Sequence, residues 1–347
     1  MNISSKVWTI GGVILLLAAI TLTIWRVWPS NEQVGNNATH PEQTKPKLDA
    51  TISGQLVVPQ IAERRPMAVM VENHPDARPQ SGLSQAEVVY EMVAEGGITR
   101  YVAVFQQDAG AIGPVRSARD YFAELADSWS AVYAHVGGSP EALEQIKNGM
   151  YKNLTDINEF YQGSYFTRIK TRIAPHNTYI STEKLMEYES TNKKDTPLNP
   201  PHSFTFTDAL PSPTQPATAV TIDFSLPSYK ALFTYDPATQ KYLRSVAGKA
   251  DTDAVTKTQL APKTVIVQET DINPIPGDDK FRVNLRTTGT GKAYIFQNGG
   301  VTIAAWKREP GKLTQYLDAQ SSPISFTPGQ FWIALVSKDS PTAITWK

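Results

Sequence analysis

PMAVMVENHPDARPQSGLSQAEVVYEMVAEGGITRYVAVF, residues 66–105, is the stretch that decides the fold. Residues 67–71, 88–93 and 101–105 within it are short apolar runs rich in Val and Tyr, separated by Gly, Pro, Asn and Asp. Runs of that length with turn residues between them read as strands. A fourth run follows at residues 131–136, and helical patterns at 118–128, 140–148 and 182–190 alternate with the strands. This alternation predicts a mixed α/β layer, placed at residues 56–195.

The third strand leads into GPVRSARD, residues 113–120. A Gly-Pro turn ends the strand, and Ser117 with Asp120 three positions later forms a capping-box pattern before an apolar helix. Arg116 and Arg119 then stand at the mouth of that helix. Free N–H groups of a first helical turn carry partial positive charge, and guanidinium groups beside them grip carboxylate, phosphate or sulfate in bidentate fashion. The structural alternative is an arginine pair neutralised by nearby Asp or Glu.

Further polar residues gather at the predicted strand ends: Glu72, His74, Glu91, Glu95 and Arg100. Loops at the ends of strands in open α/β sheets build ligand sites. The expected ligand-binding set is Arg100, Arg116, Ser117, Arg119, His74, His135 and Ser139. Glu72, Glu91 and Glu95 are the weak candidates for a general acid or base. Mutual neutralisation across a seam is the competing reading. His135 and Ser139 belong to HVGGSP, residues 135–140, in which Ser139 as N-cap and Pro140 at the first helical position account for themselves as a helix start. A second cradle of backbone N–H groups beside His135 is the alternative.

Other motifs carry less. Ser181 and Lys184 fit S-x-x-K without its companion motifs, and GTGK at 289–292 lacks the spacing of a phosphate loop and reads as a hairpin turn. The five histidines, at positions 40, 74, 135, 176 and 202, show no short-spaced ligand pair, so neither metal nor other cofactor is expected. The loop at 165–177 sets Arg168, Lys170, Arg172 and His176 beside Tyr165 and Phe166. It reads as a solvated basic loop, with sugar stacking as the alternative.

Six prolines fall within residues 196–216, a density that helix and strand interiors reject, and a linker is placed at 196–217. Beyond it, residues 218–347 are strand-like almost throughout and read as a β-rich sandwich or barrel. Trp306, Trp332 and Trp346 alternate with apolar residues there, as core or as a partner-facing surface.

At the other end, residues 7–25 carry no charge and are flanked by Lys6 and Arg26, with Trp8, Trp25 and Trp28 near the ends. Nineteen residues span about one hydrocarbon core, and indoles favour its edges. The reading is a cytoplasmic leader at 1–6, an uncleaved signal anchor at 7–28 crossing the membrane once, and a disordered stalk at 29–50, with the folded part outside the cytoplasm. The chain has 33 basic and 33 acidic residues and no cysteine. Balanced charge argues against nucleic acid as a partner, and the missing thiol removes disulfides, cysteine nucleophiles and lipid attachment through cysteine.

RPMAVMVENHPDARPQSGLSQAEVVYEMVAEGGITRYVAVF, IGPVRSARDYF, FTYDPATQKYLRSVAGK and PGQFWIALV together resemble the YerB-like lipoprotein family of Gram-positive bacteria, and the likeness runs over roughly residues 62–338. The resemblance implies a two-domain extracytoplasmic protein on a membrane anchor and supplies no reaction. Many family members look anchored through a cysteine that this chain lacks. The expected role is binding an anionic cell-wall polymer. A wall-processing hydrolase or transferase acting through the Glu cluster, and a scaffold docking an envelope protein, are the alternatives.

Overall fold

A computed structural model describes residues 49–192, 204–209, 213, 215–340 and 343–347. The expected leader, membrane segment and nearly all of the stalk lie outside those residues, as does much of the Pro-rich linker. Among the described residues, no helix is long and apolar enough to cross a membrane.

The first half contains strands β1 (Met67–Glu72), β2 (Val88–Glu95) and β3 (Ile98–Phe105), helix α1 (Asp120–Ser128), β4 (Val132–His135), α2 (Pro140–Lys147), β5 (Thr155–Asn158) and α3 (Thr182–Thr191). The second half contains β6 (Ala219–Ile222), β7 (Ala231–Asp236), β8 (Lys241–Val246), β9 (Thr264–Thr270), β10 (Gly289–Gln297), β11 (Gly300–Arg308), β12 (Phe331–Ser337) and β13 (Ile344–Trp346). A mixed α/β half followed by a β-rich half is thus what the chain builds.

The two halves share one sheet. Its order is Gln215–Pro216, β11, β10, β9, β12, β2, β3, β1, β4, β5, with Gln315–Leu317 attached to β11 as the eleventh strand. The seam is parallel: β12 lies against β2, with Phe331 opposite Val88 and Ala334 opposite Glu91. Central strands covered on both faces need apolar residues at every position, which explains the unbroken runs in the sequence. Alternation then sorts them. Met67, Val69 and Val71 of β1 enter one core with Leu185 of α3 and with Val220, Phe233 and Tyr242. Ala68 and Met70 enter the other, with Phe122 and Leu125 of α1, Trp129 just after it, and Ala142 of α2. Strands β6, β7, β8 and β13, with Lys249–Ala250, form a separate antiparallel sheet packed on the first of these faces, so the β-rich half is a sandwich whose second layer is the shared sheet.

Three readings need correction. Asp49–Ala50 pairs with Leu56–Val57, so the last two residues of the expected stalk form a strand. Helix α1 begins at Asp120, not at residue 118, and Ser117 caps nothing; its N-cap residue is Arg119, which makes no side-chain cap bond. Gly289–Lys292 is no turn but the start of β10, paired with residues 305–308 of β11. Glycine is required at 291 because a Cβ there would stand 2.4 Å from Trp306 Nε1 and 2.7 Å from the Glu269 carbonyl oxygen. Trp306 donates from that nitrogen to the same carbonyl at 2.9 Å, so neither can yield. Gly291→Ala therefore lowers stability by about 1–3 kcal/mol, readable as a fall in melting temperature; an unchanged melting temperature would show that the indole moves aside.

Candidate functional site

The GPVRSARD segment is stitched between β1 and β4 at the C-terminal ends of those strands. Glu72 N–H donates to the Pro114 carbonyl at 2.9 Å, Arg116 N–H to Met70 at 3.0 Å, and Val136 N–H to Arg116 at 3.0 Å. Ala118 N–H donates to Gly137 at 2.9 Å. These bonds hold residues 115–118 extended, which is why the capping box at Ser117 is not used. Gly113 makes the entry possible: its φ is +150°, and a Cβ would meet the Thr178 carbonyl oxygen at 2.8 Å.

The segment delivers its arginines to two carboxylates. Glu95, at the end of β2, pairs with both Arg100 and Arg119, while Glu72, at the end of β1, pairs with Arg116. Arg100 stands directly opposite Glu72 across the β1–β3 ladder and also donates to the Ser117 carbonyl at 3.3 Å. Burial pulls the Arg100 guanidinium below its ordinary pKa and Glu95 opposes that pull. Glu72, Arg100 and Arg119 are buried; Arg116 keeps a quarter of its side chain exposed, at 25%, and forms the rim. The Nε atoms of buried Arg100 and Arg119 have no hydrogen-bond partner among the described residues.

Two histidines complete the rim. His176 Nδ1 lies 3.7 Å from Glu72 Oε2, and its ring stacks on that of His74 with centroids 5.1 Å apart. Burial lowers the His176 pKa, with Glu72 opposing and Arg116 reinforcing. His74 opens the short helical turn Pro75–Ala77, and its Nδ1 accepts from Asp76 N–H at 3.2 Å. The fold thereby gathers His74, Asp76 and His176, whose ligand atoms lie within 4.8 Å of one another. Linear spacing had pointed away from any metal, since it weighs only near neighbours in the chain. The loop at 165–177 brings His176 across, and Arg172 anchors that loop by donating to the Ala77 and Pro79 carbonyls. Tyr165, Ile169, Arg172 and Tyr179 line a largely apolar cavity of about 450 Å³.

The remaining candidates serve the fold. Glu91 is fully buried and accepts from Arg244, Trp332, Asn73 and Thr99, which uses both of its oxygens. Burial pushes its carboxyl up and Arg244 pulls it back. It stands apart from Glu72 and Glu95 as the partner of Arg244, an arginine of the β-rich half. His135 is buried with both ring nitrogens engaged, at 2.7 Å from the Gly137 carbonyl and 2.7 Å from Asp156 Oδ1. Ser139 Oγ accepts from Ala142 N–H at 3.2 Å, the N-cap of α2. At the opposite end of β2, a polar cavity of about 420 Å³ contains Glu87, whose carboxyl burial pushes up to about 7 while two backbone N–H groups satisfy it. Nothing in the local sequence marked Glu87 or Arg244.

Comparison with known proteins agrees with this architecture. Residues 52–196 match the model described as "Protein of unknown function (DUF3048) N-terminal domain", and residues 220–333 match that of the DUF3048 C-terminal domain. A protein named "Putative lipoprotein YerB" from Bacillus subtilis (strain 168) is 35% identical over 297 residues, covering 84% of this chain and 87% of that protein. The crystal structure of YerB protein from Bacillus subtilis superposes with a TM-score of 0.75 at 32% identity, covering 87% of this chain and 100% of that one. With both paired domains matched and relatedness sustained across most of its length, this chain belongs to the DUF3048 family, the YerB-like proteins.

Proposed function

We propose that this is a membrane-associated extracytoplasmic protein of the cell envelope that holds an anionic wall polymer at the strand-end cluster. The relative's description as a lipoprotein supports the compartment. Residues 7–28 supply the anchor that a lipid-bearing cysteine supplies elsewhere, and the polar stretch after them supplies the reach.

One observation carries the ligand class. Three guanidinium groups, Arg100, Arg116 and Arg119, share two carboxylate partners, Glu72 and Glu95. Two buried Nε donors are also unfilled. An anionic group entering at the Arg116 rim supplies a further acceptor for the three arginines, and the Tyr165–Tyr179 cavity offers apolar faces for a sugar. Hydrolysis is less well supported, because Glu91 is consumed in the core, Glu95 by two arginines and Glu72 by Arg116.

Arg116→Ala lowers retention on purified cell wall about 10–100-fold, the loss of one charge-assisted contact, while Arg168→Ala on the exposed loop leaves it unchanged. Equal retention by wild type and Arg116→Ala overturns the reading.

A further inference from the structure

We infer that His74, Asp76 and His176 form a binding site for one divalent transition-metal ion of the zinc class, with Glu72 as the carboxylate that orients His176. The ligand atoms already lie within 4.8 Å of one another. His74 Nδ1 stands 3.5 Å from Asp76 Oδ2. Around a tetrahedral ion with bonds near 2.1 Å, neighbouring ligand atoms are about 3.4 Å apart, so that pair is at coordinating separation. Asp76 is exposed and free to turn inward, and among the described residues the bond that His74 Nδ1 gives up is the 3.2 Å contact from Asp76 N–H.

A second observation points the same way. His176 is largely enclosed, with 16% of its side chain exposed, yet among the described residues its Nδ1 lacks a hydrogen-bond partner and faces Glu72 at 3.7 Å. Metal-bound imidazoles donate their other N–H to a carboxylate, which fixes the tautomer and the ring plane. Placing the proton on Nδ1 toward Glu72 leaves Nε2 as the ligand atom. The stacked pair, with planes only 16° apart, presents both imidazoles to one side. Two histidines and one carboxylate match the ligand set of open zinc sites, in which the fourth position is left to water or an incoming anion.

The site does not depend on the polymer reading, and its test uses no polymer. Full-length protein in detergent is titrated with ZnCl₂ by calorimetry and with CoCl₂ by visible absorption. One ion per chain binds, and cobalt develops the ligand-field bands of four-coordination. His74→Ala and His176→Ala each weaken zinc binding more than about 100-fold, and Glu72→Gln weakens it about 10-fold. His40→Ala and His202→Ala leave it unchanged. Arg116→Ala lowers wall retention but keeps the metal, which separates the two proposals. Circular dichroism confirms that each variant folds. Absence of saturable binding in the wild type, or wild-type affinity in folded His176→Ala, overturns the assignment.

Discussion

Replacing Arg244 by methionine lowers the free energy of unfolding by about 3–5 kcal/mol, the largest single-residue loss expected in this protein. Arg244 is completely buried on β8, pairs with Glu91 across 153 residues at 2.9 Å, and also pairs with Asp251. Its guanidinium lies 4.5 Å from the Trp332 ring centroid and within 6 Å of the rings of Tyr101 and Phe233. Burial works against its charge, but Glu91, Tyr101 and Asp251 outweigh that and hold it above its ordinary pKa. Methionine fills much of the volume and removes the charge, leaving two buried carboxylates with no cation. Uncompensated buried charge is what makes the breakage costly, since the intact pair gains little over apolar residues of the same size. Arg244→Met with Glu91→Leu therefore recovers part of the loss, and a double-mutant cycle returns a coupling energy of at least about 2 kcal/mol. Urea unfolding followed by tryptophan fluorescence measures both. A loss below about 1 kcal/mol for Arg244→Met would show that the pair is solvated.

That ion pair also marks where the sequence stops being readable. The strands were legible because β2, β3, β9 and β12 are buried on both faces and so are apolar at nearly every position. Helices α2 and α3 announced themselves through Ser139 and Ser181, whose hydroxyls do accept the expected backbone N–H groups. Ser117 carried the same signal and misled, because residues 115–118 found better backbone partners in Met70, Val136 and Gly137, none of them adjacent in the chain. Arg244 looks like any alternating residue of a half-exposed strand until Glu91 is brought beneath it. The same holds for the candidate site. Glu72, Glu95, Arg100, Arg116 and Arg119 were legible as a group because strand ends and the following turn place them together. His176 was not, since a loop after β5 and its anchor on the Ala77 and Pro79 carbonyls decide where it lands.

Glu95→Gln lowers stability by about 3 kcal/mol and creates a specific dependence on added anion, the second large effect. Glu95 is the sole carboxylate paired with both Arg100 and Arg119 among the described residues, and both arginines are buried. A neutral amide keeps the shape and withdraws the counter-charge, leaving two like charges close together in a poorly solvated place, which accounts for a cost at the lower end of the range for a broken buried pair. Any anion that enters and restores balance binds the folded state alone. At a hundred times its Kd it returns about 2.7 kcal/mol, nearly the whole loss. Sulfate also stabilises folded proteins generally by exclusion from their surface, so the informative quantity is the gain of the variant beyond that of the wild type, measured at matched ionic strength against chloride. An excess gain that disappears in Glu95→Gln with Arg119→Ala locates the anion between the arginines. If wild type and Glu95→Gln gain equally from sulfate, the guanidinium groups are not accessible from solvent, and the cluster is a structural clamp holding the end of β2 to the start of α1.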